Sequence, residues 1–119
     1  MNIYQQNIID HYKNPQNFGE LQDFTHSAKV SNPICGDEIT VYLRVEDSKL
    51  ADISYTGSGC AISMSTMSML SEEVKGKPLK LLEDIDEKYI QEKMLGISVT
   101  PARLSCLLIG KNAILKALA

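Results

Sequence analysis

The sequence predicts an α+β fold, in which a three-stranded antiparallel sheet has helices packed on one face and is flanked by an N-terminal helix and a C-terminal helix. Strand-like alternation fills the first half of the chain, glycines at positions 57 and 59 mark a change of period, and helical spacing follows. Strands first and helices afterwards are typical of α+β proteins. The length of 119 residues, with no repeat or linker, predicts one domain over residues 1–119.

The first half of the chain predicts one helix and three strands. Residues 2–13 carry apolar side chains at helical spacing, and Pro15 ends that helix. A short strand is predicted within residues 24–32. Residues 39–45 alternate strictly between apolar and polar side chains, as a half-buried strand does, and residues 50–57 return as its partner after a turn. The predicted inward-facing residues of the middle strand are Ile39, Val41, Leu43 and Val45.

The second half predicts helices from their caps. The first of them covers residues 60–74. Asp84 and Glu87 have the spacing of a capping box and open a later helix. Thr100 is the predicted N-cap of the last helix, which extends to about Leu118. The residues of that helix predicted to reach the core are Leu104, Leu107, Leu108 and Leu115.

Composition excludes several classes of function. A formal net charge of −3 provides no basic surface for nucleic acid. The longest apolar stretches, such as CLLIG, are too short to span a membrane. The N-terminus is amphipathic and polar where a signal peptide would be apolar, so we expect a cytoplasmic protein. Three cysteines cannot form a closed set of disulfides, and reduced thiols favour metal binding or sulfur chemistry.

The stretch NPICGDE contains the first two candidate ligands. Alternate residues of an extended segment point the same way, so Cys35 and Asp37 can address one point in space. Gly36 between them allows a close approach of the backbone. The alternative is a buried loop cysteine beside an unrelated turn aspartate.

Cys60 follows two glycines at the predicted N-terminus of a helix. The positive end of the helix dipole and the free N–H groups there favour a thiolate, the form that binds metal or attacks sulfur. The alternative is a small apolar residue at a strand–helix junction. Three methionines of the same helix are assigned to the core and not to a metal. They are Met64, Met67 and Met69.

Cys106 lies in the predicted last helix, with Ser105 beside it and Arg103 one turn earlier. Arg103 can stabilise a thiolate or reach a carboxylate of a partner, and the alternative is a solvated charge near a helix start. His11 and His26 have no ligand-like spacing and are predicted to be structural or surface residues.

The residue types of this set suit a metal. Three sulfurs and one carboxylate suit a four-coordinate zinc ion and also iron with bridging sulfide. One oxygen ligand among three thiolates leaves one labile position, which suits a cluster that is handed on.

The motifs NPICGDEI, GSGCAIS and PARLSCLLIGKNAI, together with the opening IYQQNIIDHYKNPQNFG, resemble the U-type iron–sulfur cluster scaffold family of IscU, SufU and the N-terminal domain of NifU. The resemblance implies an α+β fold with its ligands gathered at one exposed end. Cys35, Cys60 and Cys106 would be the sulfur ligands and Asp37 the oxygen ligand.

The resemblance also implies a transfer of sulfur between proteins. A cysteine desulfurase would deliver persulfide sulfur to a cysteine, for which Cys106 is the candidate, and Arg103 would couple the two proteins. A labile [2Fe–2S] cluster would then pass to acceptor apo-proteins. The chain would act as a monomer or weak dimer, without nucleic acid or membrane.

Two features separate the branches of the family. Ser105 stands where IscU-type scaffolds have a histidine, and SVTPARLS replaces their proline-rich chaperone-recognition segment. Arg103 resembles the SufU branch, whose members hold zinc. However, only 45 residues separate Cys60 from Cys106, which is close to the IscU-type length.

The leading prediction is therefore a scaffold for a [2Fe–2S] cluster, a binding and transfer protein without turnover of its own. The alternative is a zinc-bound sulfurtransferase that accepts persulfide from the desulfurase, which is closer to an enzyme. A structural zinc domain is a third reading, which the absence of close cysteine pairs disfavours.

Overall fold

The computed structural model describes residues 3–33 and 36–119 and has the predicted α+β fold. The helices are α1 (Ile3–Lys13), α2 (Ala61–Val74), a 3₁₀ helix (Leu79–Asp84), α3 (Glu87–Tyr89) continued by a π-helical turn (Ile90–Leu95), a 3₁₀ turn (Pro101–Arg103) and α4 (Leu104–Leu118). The strands are β1 (His26–Asn32), β2 (Asp37–Glu46) and β3 (Lys49–Ser58).

The three strands form an antiparallel sheet in the order β1-β2-β3. Ile39, Val41 and Leu43 are completely buried on one face of β2, as their alternation predicts. β2 begins at Asp37, two residues earlier than predicted, so this carboxylate lies on the same face as the core residues and is 2% exposed. The strand pattern therefore carries a charged group to the edge of the core.

The helices cover this buried face. α4 packs on β1 and β2, and α2 lies between α1 and α4, where every residue of the range 63–71 is buried. Gly110 permits the close approach of α4 to α2, because a Cβ there would lie 2.7 Å from Met67 Sδ. The prediction that the methionines of α2 belong to the core is confirmed. Among the described residues, no helix combines the length and the apolar character needed to cross a membrane.

Two predictions about the helices were wrong. The cap of α3 is Asp86 and not Asp84, because the Asp86 side chain accepts a hydrogen bond from the Tyr89 backbone N–H at 2.8 Å. Leu115 is 45% exposed, and the core side of that part of α4 is formed by Ala113 and Ile114. The face of α4 that contacts the core here is therefore not the one that the spacing of the leucines predicts.

The N-terminal segment is held to α2 largely by serine hydroxyls. The Ser65 hydroxyl donates to the Ile8 carbonyl at 2.8 Å, and Ser68 Oγ lies 2.7 Å from His11 Nδ1 and accepts the Gln16 N–H at 2.8 Å. His11 is thus structural. Beyond it, the Gly19 N–H donates to the Tyr55 carbonyl at 2.7 Å and extends the sheet beyond β3.

Candidate metal centre

The structure brings together three of the four predicted ligands. A carboxylate oxygen of Asp37 and the Sγ atoms of Cys60 and Cys106 all lie within 4.8 Å of one another. Cys35 lies outside the described residues, and its membership of the site stays a prediction. The three gathered side chains come from three different elements, so the site exists only in the folded chain.

Each ligand is held at the end of an element. Asp37 opens β2 on its core side. Cys60 is the N-cap residue of α2, in extended backbone conformation, two residues after β3 ends. Cys106 lies in the first turn of α4, because the start of the predicted helix forms a separate 3₁₀ turn. The strand ends and helix starts of an α+β sandwich meet here at one end of the sheet.

Asp37 connects the sheet to α2. Its Oδ1 accepts the backbone N–H of Cys60 at 3.1 Å, and its Oδ2 lies 4.0 Å from Cys60 Sγ. The first N–H groups of a helix have no partner within the helix, so this carboxylate satisfies one of them. One oxygen of Asp37 is therefore structural, while the other faces the sulfurs.

Gly59 allows this contact. A Cβ at this position would lie 2.7 Å from Asp37 Oδ1 and 2.7 Å from Ser63 Oγ, closer than real Cβ atoms come. Only a glycine therefore leaves room for the carboxylate against the start of α2. The sequence marked Gly59 as part of a helix start, but its role as space for Asp37 depends on the tertiary fold.

Sequence reasoning missed Ser63. Its hydroxyl is buried, donates to the Cys60 carbonyl at 3.0 Å and lies 3.5 Å from Cys60 Sγ. The signal was available, because a serine three residues after a helix N-cap faces back toward the cap.

The environment of Cys60 lowers the pKa of its thiol. Partial burial opposes ionisation and raises the pKa, but hydrogen bonds from the side chain and backbone of Ser63 lower it. The charge of Asp37 raises the pKa again, and a hydrogen bond from Cys106 lowers it. The net direction is downward, which favours the thiolate that the helix start predicted.

The three gathered ligands differ in their exposure to solvent. The resemblance implies an exposed end, but Cys106 is fully buried and Asp37 nearly so, while Cys60 is partly exposed. Arg103 is exposed, and its side chain forms no hydrogen bond or ion pair with the residues of the described ranges. Ser105 Oγ accepts a hydrogen bond from Asn32 Nδ2 at 2.9 Å.

This donor set fits a metal ion. Zinc bonds of about 2.0 to 2.3 Å place tetrahedral ligand atoms about 3.3 to 3.8 Å apart, so a spread of up to 4.8 Å needs side-chain shifts of only about 1 Å. Thiolates with one carboxylate suit zinc, and thiolates are also the usual protein ligands of iron–sulfur clusters. The fold and the donors define a class of small α+β proteins with a thiolate–carboxylate site at one end of an antiparallel sheet.

Comparison with known proteins places the chain within that class. Residues 3–119 match the family model of the NifU-like N terminal domain, and the chain belongs to this family. It is 33% identical to the zinc-dependent sulfurtransferase SufU of Bacillus subtilis, over 98% of this chain and 90% of that protein.

Two further comparisons give a second relative and a similar solved structure. The iron–sulfur cluster assembly scaffold protein IscU 1 of Archaeoglobus fulgidus is 35% identical, over 80% of this chain and 62% of that protein. The aligned region thus spans less than two thirds of that relative. A crystal structure of a hypothetical protein is similar with a TM-score of 0.84 and 28% identity, covering 98% of this chain and 96% of that one.

Proposed function

We propose that this chain is a scaffold on which a labile [2Fe–2S] cluster is assembled with sulfur from a cysteine desulfurase and then passed to acceptor apo-proteins. The observation that carries the proposal is the convergence of Asp37, Cys60 and Cys106 from three elements within 4.8 Å. Cys35 is the fourth proposed ligand. Membership of a family that contains assembly scaffolds supports this function.

The chemistry of the ligands accounts for a cluster that is transferred. Cysteine thiolates hold iron firmly, whereas a single carboxylate oxygen is a harder and weaker ligand for the same ion. Asp37 Oδ1 accepts the Cys60 N–H, which favours binding of iron through the other oxygen, Oδ2. A ligand that binds through one oxygen dissociates more readily than one that chelates, and the cluster is correspondingly labile.

Sulfur delivery requires an accessible thiolate. In this step a scaffold thiolate attacks the outer sulfur of the desulfurase persulfide, a new S–S bond forms, the old one breaks, and the desulfurase cysteine leaves as a thiolate. Cys106 is the predicted acceptor. Because its side chain is fully buried, we infer that the first turn of α4 moves when the desulfurase docks.

The zinc-bound sulfurtransferase is the second candidate function. The exposed guanidinium of Arg103, which pairs with no side chain within residues 3–33 and 36–119, favours it, since this group is available to a carboxylate of the desulfurase. The similarity to SufU over nearly the whole of both chains also supports it. In either function we place the protein in the cytoplasm, where reduced thiols persist, as a monomer or weak dimer.

One experiment separates the two functions. The protein, with one equivalent of zinc, is incubated anaerobically with ferrous iron, cysteine and a cysteine desulfurase, and acid-labile sulfide per chain is measured. Near-stoichiometric sulfide with matching iron supports the scaffold. Retained zinc without labile sulfide, together with faster desulfurase turnover, supports the sulfurtransferase and contradicts the scaffold.

The coupling role of Arg103 has its own test. Under the sulfurtransferase reading, Arg103→Ala slows the stimulated desulfurase, while Lys88→Ala, an equal loss of charge at an exposed position on α3, leaves the rate unchanged. An equal rate for the parent and Arg103→Ala would remove this role.

A further inference from the structure

Two hydrogen bonds join the adjacent ends of β1 and β2 to the two helices that carry cysteines. Asn32 and Asp37 are partners in the register of β1 and β2, and the Gly36 N–H donates to the Asn32 carbonyl at 2.8 Å. Asp37 Oδ1 accepts the N–H of Cys60 at the start of α2, as described above. Asn32 Nδ2 donates to Ser105 Oγ at 2.9 Å in the first turn of α4.

We propose that Asn32 and Ser105 are a positioning pair for the metal centre. Asn32 lies three residues before Cys35 in the sequence, and Ser105 directly precedes Cys106. Their hydrogen bond joins the end of β1 to α4, as Asp37 joins the start of β2 to α2. The inference rests on the proposed function, because it assigns a role toward the same metal-binding side chains.

The start of α4 needs such a contact. Among the described residues, neither Thr100 nor Arg103 forms a side-chain cap hydrogen bond at the turns that lead into this helix. Asn32 is partly buried, whereas Ser105 is exposed, so their bond buries little surface and contributes little to the core. Asn32 lies opposite Asp37 in the sheet and Ser105 directly precedes Cys106, so a displacement of this contact would change the geometry of two predicted ligands.

A second contact joins the same two elements far from the site. Lys116 Nζ donates to the Lys29 carbonyl at 2.9 Å near the other end of α4. This contact also joins α4 to β1, but it lies three helical turns away from Cys106 along the helix. If both contacts only held α4 to the sheet, their removal would have equal effects on metal affinity.

The test measures zinc affinity by competition with a chromogenic chelator. We expect Asn32→Ala and Ser105→Ala each to weaken zinc binding about three- to tenfold, the range that corresponds to one net hydrogen bond. The double variant is expected to bind zinc no more weakly than Asn32→Ala alone, since the Ser105 hydroxyl acts through its hydrogen bond with Asn32. Ser105→Thr, which keeps the hydroxyl, restores affinity to within about twofold of the parent.

Two control variants address a merely structural role. Lys116→Met removes the distant contact and is expected to leave zinc affinity unchanged. Asn112→Ala makes the same kind of truncation as Asn32→Ala, at an exposed position that lines the same groove as Ser105. Urea unfolding of the metal-free variants shows whether a change in affinity follows a change in stability.

The outcomes are distinguishable. If the parent binds zinc and Asn32→Ala and Ser105→Ala bind it equally well, the positioning pair is wrong and the proposed function stands. Additive losses in the double variant, or an equal loss in Lys116→Met, also overturn the pair. A parent that binds no zinc overturns the metal centre of the proposed function and this inference with it.

Discussion

The middle and the N-terminal end of α2 both carry serines, but the serines have different roles. In the middle of the helix, Ser65 and Ser68 form hydrogen bonds of 2.7 to 2.8 Å with the N-terminal segment. At its N-terminal end, Ser63 Oγ lies 3.5 Å from Cys60 Sγ, and Cys60 Sγ lies 4.0 Å from Asp37 Oδ2. The middle of α2 is hydrogen-bonded to the N-terminal segment, whereas at its N-terminal end Cys60 Sγ and Asp37 Oδ2 lie 4.0 Å apart.

This difference separates stability from function along one helix. A hydroxyl that already satisfies backbone and side-chain partners has little capacity left for a ligand. Its removal leaves those partners without a hydrogen bond. Cys60 Sγ and Asp37 Oδ2 lie 4.0 Å apart, so they can exchange this weak contact for bonds to a metal ion. We therefore expect substitutions in the middle to change folding and substitutions at the N-terminal end to change metal binding.

The largest effect is expected from Gly59→Ala. The added Cβ would displace the Asp37 carboxylate and the Ser63 hydroxyl, so zinc affinity should fall about 10- to 100-fold, as for loss of the groups that orient metal ligands. Metal-free stability should fall by about 1 to 3 kcal/mol from crowding. Chelator competition and urea unfolding measure the two quantities.

The opposite end of α2 provides the control for this substitution. A Cβ at Gly76 meets nothing within 4 Å, but φ there is +76°, so Gly76→Ala should cost about 1 kcal/mol of stability through backbone strain. Zinc affinity should stay unchanged. Equal losses of zinc affinity in the two variants would contradict the division between the ends of the helix.

The next largest effect is expected from Ser68→Ala in the middle of α2. The substitution leaves the Gln16 N–H and His11 Nδ1 without their partner in a partly buried place. We expect a loss of about 1 to 3 kcal/mol in the free energy of unfolding, with faster amide exchange in the N-terminal segment. Zinc affinity within about twofold of the parent would confirm the separation, and a large loss would break it.

Asp37 caps the start of α2 and is also a proposed metal ligand, and two substitutions separate these roles. Asp37→Ala removes the acceptor for the Cys60 N–H and should cost about 1 kcal/mol of metal-free stability, as the loss of a helix cap does. Asp37→Asn keeps an acceptor oxygen, so its stability should lie within a few tenths of a kcal/mol of the parent. Urea unfolding of the metal-free proteins compares them.

Asp37→Ala also tests the lability of the cluster. We expect the reconstituted cluster of Asp37→Ala to transfer to an acceptor more slowly than that of the parent, because a slowly exchanging site replaces a labile one. Absorbance of the cluster during transfer follows the rate. Equal rates of loss from the parent and Asp37→Ala would show that Asp37 does not set the lability.

The last prediction concerns the pKa of Cys60 and uses Ser63→Ala. Its hydroxyl lowers the pKa of Cys60, so the substitution should shift the pKa of Cys60 upward and reduce its thiolate fraction at neutral pH. Alkylation of Cys60 in the metal-free protein, followed by peptide mass spectrometry across pH, should then show a midpoint at higher pH. Ser65→Ala in the middle of α2 serves as the control and should leave the midpoint unchanged.

The sequence by itself determined the local features of this protein. The alternation through Ile39, Val41 and Leu43 predicted a half-buried strand because the side chains of a strand alternate between its faces. The glycines before Cys60 predicted a helix start, and the residue types of Cys60 and Asp37 predicted metal chemistry. Such inferences depend on neighbours within a few positions, which a sequence shows directly.

Only the tertiary structure decided how these pieces meet. Asp37 contacts the Cys60 N–H across 23 positions, and Asn32 contacts Ser105 across 73. Leu115 is exposed although its spacing suits the core, since the orientation of α4 on the sheet depends on packing along the whole helix. Contacts between distant segments depend on how strands and helices pack against one another, and periodicity along the chain does not contain that information.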